Sequence, residues 1–325
     1  MQTLMNNFWQ KLKKPFFVQA PMDEVTDVVF RQILAEVGQP DVFFTEFTNT
    51  DSLNSKGLEK TIHRLKFTEK QRPIVAQIWG NKPENYLKTA KLLKKLGFDG
   101  IDINMGCPDR IIVKKGCCSG LINNPSLAKE IILATKEGAN GLAVSVKTRL
   151  GYNNLQTEEW ISFLLKNNIE ALTIHGRIAL EMSKYPANWE EIAKAVKIKN
   201  GMKSKTIIIG NGDVKTIRQA HEKHKKYGVD GIMIGRGIFT NLWVFDEKIN
   251  PKEILFKEKL KLLLKHIDLF NNTWENSKNF ESLKKFYKIY ISDIENAQNI
   301  RTELMKIKSI DQTKEFILNL LKNLP

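Results

Sequence analysis

GIDINMGCP, residues 100–108, is the stretch that decides how this chain is built. A short apolar, β-branched run of the kind that forms a strand stops at Gly106, Cys107 and Pro108, where glycine and proline fix the backbone around a thiol. The same design, an apolar run ending in polar or rigid residues, recurs seven more times. The other runs are FFVQAPM (16–22), DVFFTEF (41–47), IVAQIWG (74–80), AVSVKTRL (143–150), ALTIHGR (171–177), TIIIGNGD (206–213) and GIMIGRG (231–237). Between them lie amphipathic segments such as PENYLKTAKLLKKLG (83–97), PSLAKEIILATKEG (125–138) and VKTIRQAHEKHKKYG (214–228). Proline or aspartate stands near several of their starts and glycine closes them, as helix capping asks.

Strand and helix alternating eight times predict an α/β fold, a (β/α)₈ TIM barrel, rather than an open doubly wound sheet. After residue 250 the strand-like runs cease. PKEILFKEKLKLLLKHIDLF, NFESLKKFYKIYISDIEN, AQNIRTELMKI and DQTKEFILNLLKNL read as helices separated by polar breaks at NNTWENS and KSIDQ. The expected division is therefore a barrel over residues 1–250 and a small all-helical domain over 251–325.

The net charge is +15, and fourteen Lys/Arg against ten Asp/Glu after residue 250 put +4 of it in the helical part. Such an excess favours a polyanionic partner through phosphate contacts and counterion release, and is equally compatible with a lysine-rich solvated surface. No apolar run approaches the roughly 20 residues a membrane helix needs. The start MQTLMNNFWQKLKKPFF lacks an apolar signal core, so a cytoplasmic protein is expected. Three cysteines, two of them adjacent, argue for reduced thiols rather than a disulfide scaffold. Neither CxxC nor HExxH spacing occurs, so no metal site is expected.

In a barrel the loops after the strands meet at one end, and that end carries the chemistry. Pro21, Gln77, Asn104, Lys147, Arg149, His175, Arg177, Asn211, Asp213 and Arg236 all fall there. GNGDV (210–214) and GRGIF (235–239) follow the last two strands, where glycine backbone and helix N-termini suit a phosphate. One such turn alone is ordinary loop geometry; the pair on consecutive strands points to a ligand. Lys147 in an apolar strand calls for an anionic partner, since an unpaired buried ammonium is costly. His175 alone would be a satisfied core histidine, but facing Lys147 and Gln77 it becomes a hydrogen-bond partner for a planar heterocycle. Cys107 on the same rim can be aimed at whatever binds over the mouth, whereas Cys117 and Cys118 read as packing.

With these residues in place the sequence resembles the tRNA-dihydrouridine synthases, flavin enzymes that reduce selected uridines in transfer RNA. The resemblance covers nearly the whole chain. It is carried by APMDEVTDVVFR (20–31), QIWG (77–80), GIDINMGCP, GCCSGLINNP (116–125), VKTRLG (146–151), IHGR (174–177), GNGDV and GRG (235–237). It implies flavin mononucleotide, FMN, against Pro21, Met22 and the backbone of Asp23. Gln77, Lys147 and His175 would contact its ring, with Asn211, Gly212, Asp213, Gly235 and Arg236 at its phosphate. Asn104, Arg149 and Arg177 would face the uracil or its neighbouring backbone, and the helical domain would grip tRNA. NADPH or NADH would be the reductant, with hydride reaching carbon 6 of the uracil and Cys107 protonating carbon 5. A monomer would suffice.

Two features depart from the family pattern. Asp23 and Glu24 stand where alanine and glycine are usual and bring negative charge towards the flavin, and Cys117 and Cys118 stand where small residues are usual. Two other functions compete with this one. A barrel reductase acting on a free pyrimidine would have no use for the basic charge and helical tail, and a catalytically silent RNA-binding protein would have no use for Cys107.

Overall fold

The computed structural model describes residues 7–275 and 277–324. The first six residues of the expected barrel domain lie outside that range, as do residues 276 and 325. Among the described residues nine strands form, all pairing in parallel: β1 (Phe16–Gln19), β2 (Phe43–Phe44), β3 (Thr48–Asn49), β4 (Ile74–Trp79), β5 (Gly100–Met105), β6 (Ala143–Arg149), β7 (Ala171–His175), β8 (Ile207–Asn211) and β9 (Gly231–Ile234). The order β1-β9-β8-β7-β6-β5-β4-β2 runs around a barrel, with two-residue β3 attached only to β4. Between β1 and β2 the circle is joined by a Val18–Val42 bridge, with Asp41 N donating to Phe17 O at 2.9 Å and Gln19 N to Val42 O at 3.1 Å. This is the (β/α)₈ barrel that the eight runs predict, each of its eight strands lying inside its run.

Alternation along each strand sorts side chains between an inner and an outer face. Outward residues such as Ile101, Ile103 and Met105 join the large apolar cluster beneath the helices. The lower interior is apolar, with Phe16, Val18, Phe44, Val75, Ala143, Ala171, Ile207 and Ile209 packed over Trp9, which plugs the bottom. Climbing towards the C-terminal ends, the interior turns polar: Gln77 on β4, Asp102 and Asn104 on β5, Ser145 and Lys147 on β6, Thr173 and His175 on β7. Register places Gln77, Asp102 and Ser145 side by side across three strands, and Asn104 beside Lys147. The apolar floor supports the fold, and the polar layers above it are available for function.

The helices differ from expectation in three places. The helix Pro125–Ala139 is closed not by Gly138 but by Asn140, left-handed at φ 40°. Gly138 lies inside the helix because a side chain there would strike Leu87 O, at 2.2 Å from an added Cβ. The helix Phe256–Trp274 runs through half of the expected break NNTWENS, because Trp274 is buried between Lys66 and Lys278 and edge-on to His63. The segment from 279 forms only the 3₁₀ run Phe280–Phe286 and the single turn Tyr287–Tyr290, since its buried side chains are not confined to one stripe.

The helical region packs on the helix Val28–Val37, where Phe30 stacks on Phe286 at 4.9 Å and Tyr290 lies 2.8 Å from His266 Nδ1. Burial pulls His266 down to about 4, so it is neutral. Two ion pairs and a hydrogen bond finish the seam: Lys278 with Asp27 at 2.7 Å, Lys265 with Glu36 at 2.5 Å, and Lys285 Nζ donating to the backbone Glu24 O at 2.9 Å.

Candidate active site

A cavity of about 480 Å³ opens at the C-terminal ends of β1 and β6 to β9. Pro21, Met22, Lys147, His175, Asn211, Gly212, Asp213, Gly235 and Arg236 all line it. Nine of the residues singled out in the sequence therefore converge on one space. Ala20, Val214, Lys215 and Met233 also line it; of these Lys215, a cation beside the glycine turn, is the addition with chemical weight.

Lys147 reaches the cavity floor, where its Nζ is 3.3 Å from Asn211 Oδ1. Burial, with Arg149 adding to it, lowers the ammonium to about 8. His175 is pushed well below the usual imidazole range, first by burial and then by Lys147, Arg149 and Arg177. The Arg177 guanidinium, always a donor, lies 2.9 Å from His175 Nε2. Nε2 therefore accepts, and the ring proton sits on Nδ1. Neutral histidine and an ammonium with no carboxylate bonded to it together favour an electron-rich, hydrogen-bonding ligand.

The rim above β8 and β9 is backbone-rich. Gly212 is at φ 131°, and a Cβ there would come within 2.6 Å of Ala187 Cβ. Asp213, whose carboxylate would oppose an anion, is neutralised: Arg177 Nη2 donates to it at 2.5 Å, Ala187 N at 2.8 Å, and Arg236 lies at 3.4 Å. Burial alone would raise this carboxyl, but Arg177, the Ala187 N–H and Arg236 together outweigh it and hold it low. Exposed Arg236 and Lys215 leave the rim positive. The donor set fits a phosphate, and with Lys147 and His175 below, the cavity fits a flavin nucleotide.

Gln77, Asn104, Arg149, Arg177 and Asp23 lie apart from the lining. Gln77 and Asn104 are buried beneath the thiol loop and bonded to each other, Asn104 Nδ2 donating to Gln77 Oε1 at 3.0 Å. Arg149 supports that loop, its Nε donating to Gly106 O at 2.7 Å and its Nη1 to Ile178 O and Met182 O. Arg177 directs its donors to Tyr185 O, His175 and Asp213. Asp23 is exposed at the cavity's edge and pairs with Arg64, which also lies 3.6 Å from buried Glu46. Glu24 is met by Lys285 at 3.4 Å. The two unusual acids are thus each offset by a cation.

Cys107 is half-buried at the rim, in a loop held by Asn104 Oδ1, which accepts Gly106 N and Cys107 N at 3.0 Å each. A hydrogen bond from Cys118 lowers its thiol to about 7 against burial, with the Asp109 backbone and Arg149 assisting. Cys117 and Cys118 are both buried, and the Cys117 thiol donates to Lys115 O at 3.8 Å. Asp102, Arg64 and Cys118 were not marked as site residues in the sequence. A charged residue within the run of β5 was the signal for Asp102; nothing local pointed to Arg64. Among the described residues no group of three or more His, Cys, Asp or Glu is placed to hold a metal ion.

The family described as Dihydrouridine synthase (Dus) matches residues 18–324. A Staphylococcus aureus (strain COL) protein named "Probable tRNA-dihydrouridine synthase" is 44% identical over 317 residues, covering 97% of this chain and 95% of its own. A Bacillus subtilis (strain 168) protein named "Probable tRNA-dihydrouridine synthase 2" is 45% identical over 317 residues, covering 97% and 96%. Among solved structures, a variant of NCR from Zymomonas mobilis superposes with a TM-score of 0.50 at 16% identity, over 79% of this chain and 95% of that one, a likeness of fold alone.

Proposed function

The chain belongs to the dihydrouridine synthase family, and on that premise we propose how it works: it reduces uridines in tRNA to dihydrouridine by flavin-dependent chemistry, with Cys107 as proton donor. The flavin is FMN, and NADPH or NADH renews it. When bound, the flavin supplies the hydride for carbon 6 of the uracil. Lys147 and His175 would hold its ring, beside Pro21, Met22 and the Asp23 backbone. Asn211, Gly212, Asp213, Gly235 and Arg236 would hold its phosphate. Gln77 would support the ring from the third strand of the barrel.

The observation that carries the reading is Lys147, an ammonium set at the floor of the cavity with no carboxylate bonded to it, facing neutral His175. Its charge would favour negative charge on a ring bound there. Cys107, lowered to about 7, holds its proton below neutral pH and can give it to carbon 5 of the uracil. Asn104, Arg149 and Arg177 surround that approach; the two guanidiniums add positive potential while their hydrogen bonds shape the loops. A base stacked in folded RNA must be drawn out to reach such a pocket. The helical region from 251 onward, carrying +4, would grip the remainder of the tRNA.

We place the protein in the cytosol as a monomer. No helix among the described residues is long and apolar enough to cross a membrane. The deciding experiment offers the purified protein NADPH with unmodified tRNA, then with free uridine or uracil. Nicotinamide oxidation and dihydrouridine formation with tRNA alone are expected. Turnover of a free pyrimidine without RNA would favour a small-molecule reductase instead.

A further inference from the structure

Beneath the thiol loop lies a carboxylate that no proposed flavin or uracil contact uses. Asp102, in the middle of β5, is wholly buried. One oxygen accepts from Ser145 Oγ at 2.6 Å, and the other from Gln77 Nε2 at 2.7 Å. A carboxylate only accepts, so the Gln77 amide nitrogen must face it and the Gln77 oxygen must face away. That oxygen takes Asn104 Nδ2 at 3.0 Å, which leaves Asn104 Oδ1 for Gly106 N and Cys107 N. Turned over, Gln77 would set its NH₂ against that of Asn104, and a turned Asn104 would set its own NH₂ against two backbone N–H groups. The polarity of the whole chain therefore begins at Asp102.

We propose that Asp102 is the positioning residue of the active-site thiol: it fixes the orientation of two successive side-chain amides and through them the turn that presents Cys107. The inference rests on Cys107 being the proton donor. It departs from any direct part for Asp102 at the flavin, since both its oxygens are engaged within the barrel wall. Asparagine can replace it. In Asp102→Asn the side-chain oxygen would accept from Gln77 while the new NH₂ donates to Ser145 Oγ, whose proton can turn to Ile101 O, 3.4 Å away. Alanine cannot, because it leaves Gln77 with no acceptor to orient it.

Asp102→Ala and Asp102→Asn test this through three readings: iodoacetamide modification of Cys107 against pH, located by peptide mass; flavin reduction by NADPH without RNA; and dihydrouridine formation on tRNA. In Asp102→Ala, dihydrouridine formation should fall on the order of 10- to 100-fold, the loss typical when an outer hydrogen-bond partner is removed. The pH midpoint of Cys107 modification should shift, and dihydrouridine formation should fall by a larger factor than flavin reduction, since Gln77 also supports the ring. Asp102→Asn should restore both affected readings. A wild-type modification profile and turnover in Asp102→Ala would overturn the proposal. Should Asp102→Ala not fold, Gln77→Met breaks the chain one link later and must shift the same midpoint; an unmoved midpoint there also overturns it. If the unsubstituted protein forms no dihydrouridine yet its thiol responds to Asp102, the proposed activity fails and the positioning stands.

Discussion

Ser119 N donates to Cys107 O at 3.2 Å, so the loop that carries buried Cys118 folds back onto Cys107, the proposed proton donor. The two neighbouring thiols shift each other's titration in opposite directions. Cys107 is lowered to about 7, whereas Cys118 is raised, first by its hydrogen bond with Cys107 and then by burial.

An acid must carry its proton, so uridine reduction limited by proton transfer should be fastest on the acid side and fall to half as pH rises through about 7. Cys118→Gly removes the donor at a position whose left-handed φ of 54° suits glycine. The declining limb should then move towards the ordinary thiol value of 9.0. Single-turnover rates between pH 6 and 10 (roughly one unit either side of these values) would display the displacement.

Lys147 titrates lower in the folded protein, about 8, than in the unfolded chain, 10.5. Flavin-free protein should therefore be less stable below pH 8 and recover between about 8 and 10.5, as the folded state sheds this proton first. Lys147→Met should raise the stability of the flavin-free protein by about 1–3 kcal/mol, the full shift discounted because the ammonium opens to water in the cavity. It should also weaken flavin retention. Urea unfolding of stripped protein and the bound-flavin absorbance measure the two opposed effects.

Gly212→Ala places a methyl group 2.6 Å from Ala187 Cβ at a φ of 131°. A cost of about 1–3 kcal/mol follows from the backbone alone. Purified Gly212→Ala should contain less flavin and melt earlier, whereas Gly141→Ala, also at positive φ but with nothing within 4 Å of the added methyl, should lower the melting temperature without loss of flavin.

Lys278→Met leaves Asp27, 5% exposed, without its cation. Uncoupling the helical region there should cost about 1–3 kcal/mol and raise KM for tRNA several-fold, with flavin reduction in the absence of RNA unchanged. Steady-state kinetics with and without tRNA separate the two.

The barrel was readable because eight apolar runs with polar ends admit few other foldings, and each of its strands formed within its run. The cavity was readable for the same reason: Lys147, His175, Asn211 and Arg236 stand at strand ends that only a barrel brings together. What escaped was contact-dependent. Cys118 reads as packing because its sequence neighbours show nothing of Cys107, and Arg64 belongs to no strand end, though it pairs with Asp23. The segment 279–290 carries enough apolar residues for a helix, yet Leu283, Phe286, Tyr287, Ile289 and Tyr290 are all buried in the seam rather than along one stripe.

The stretch from Met22 to Asp27 borders the cavity at one end and is tied to the helical region at the other, through Lys285 on Glu24 and Lys278 on Asp27. Ordering this short tether from either side is shared work. By thermodynamic reciprocity, whatever factor a loaded nucleotide adds to the hold on RNA, a seated RNA must return to the hold on the nucleotide, and rising salt should erode both together.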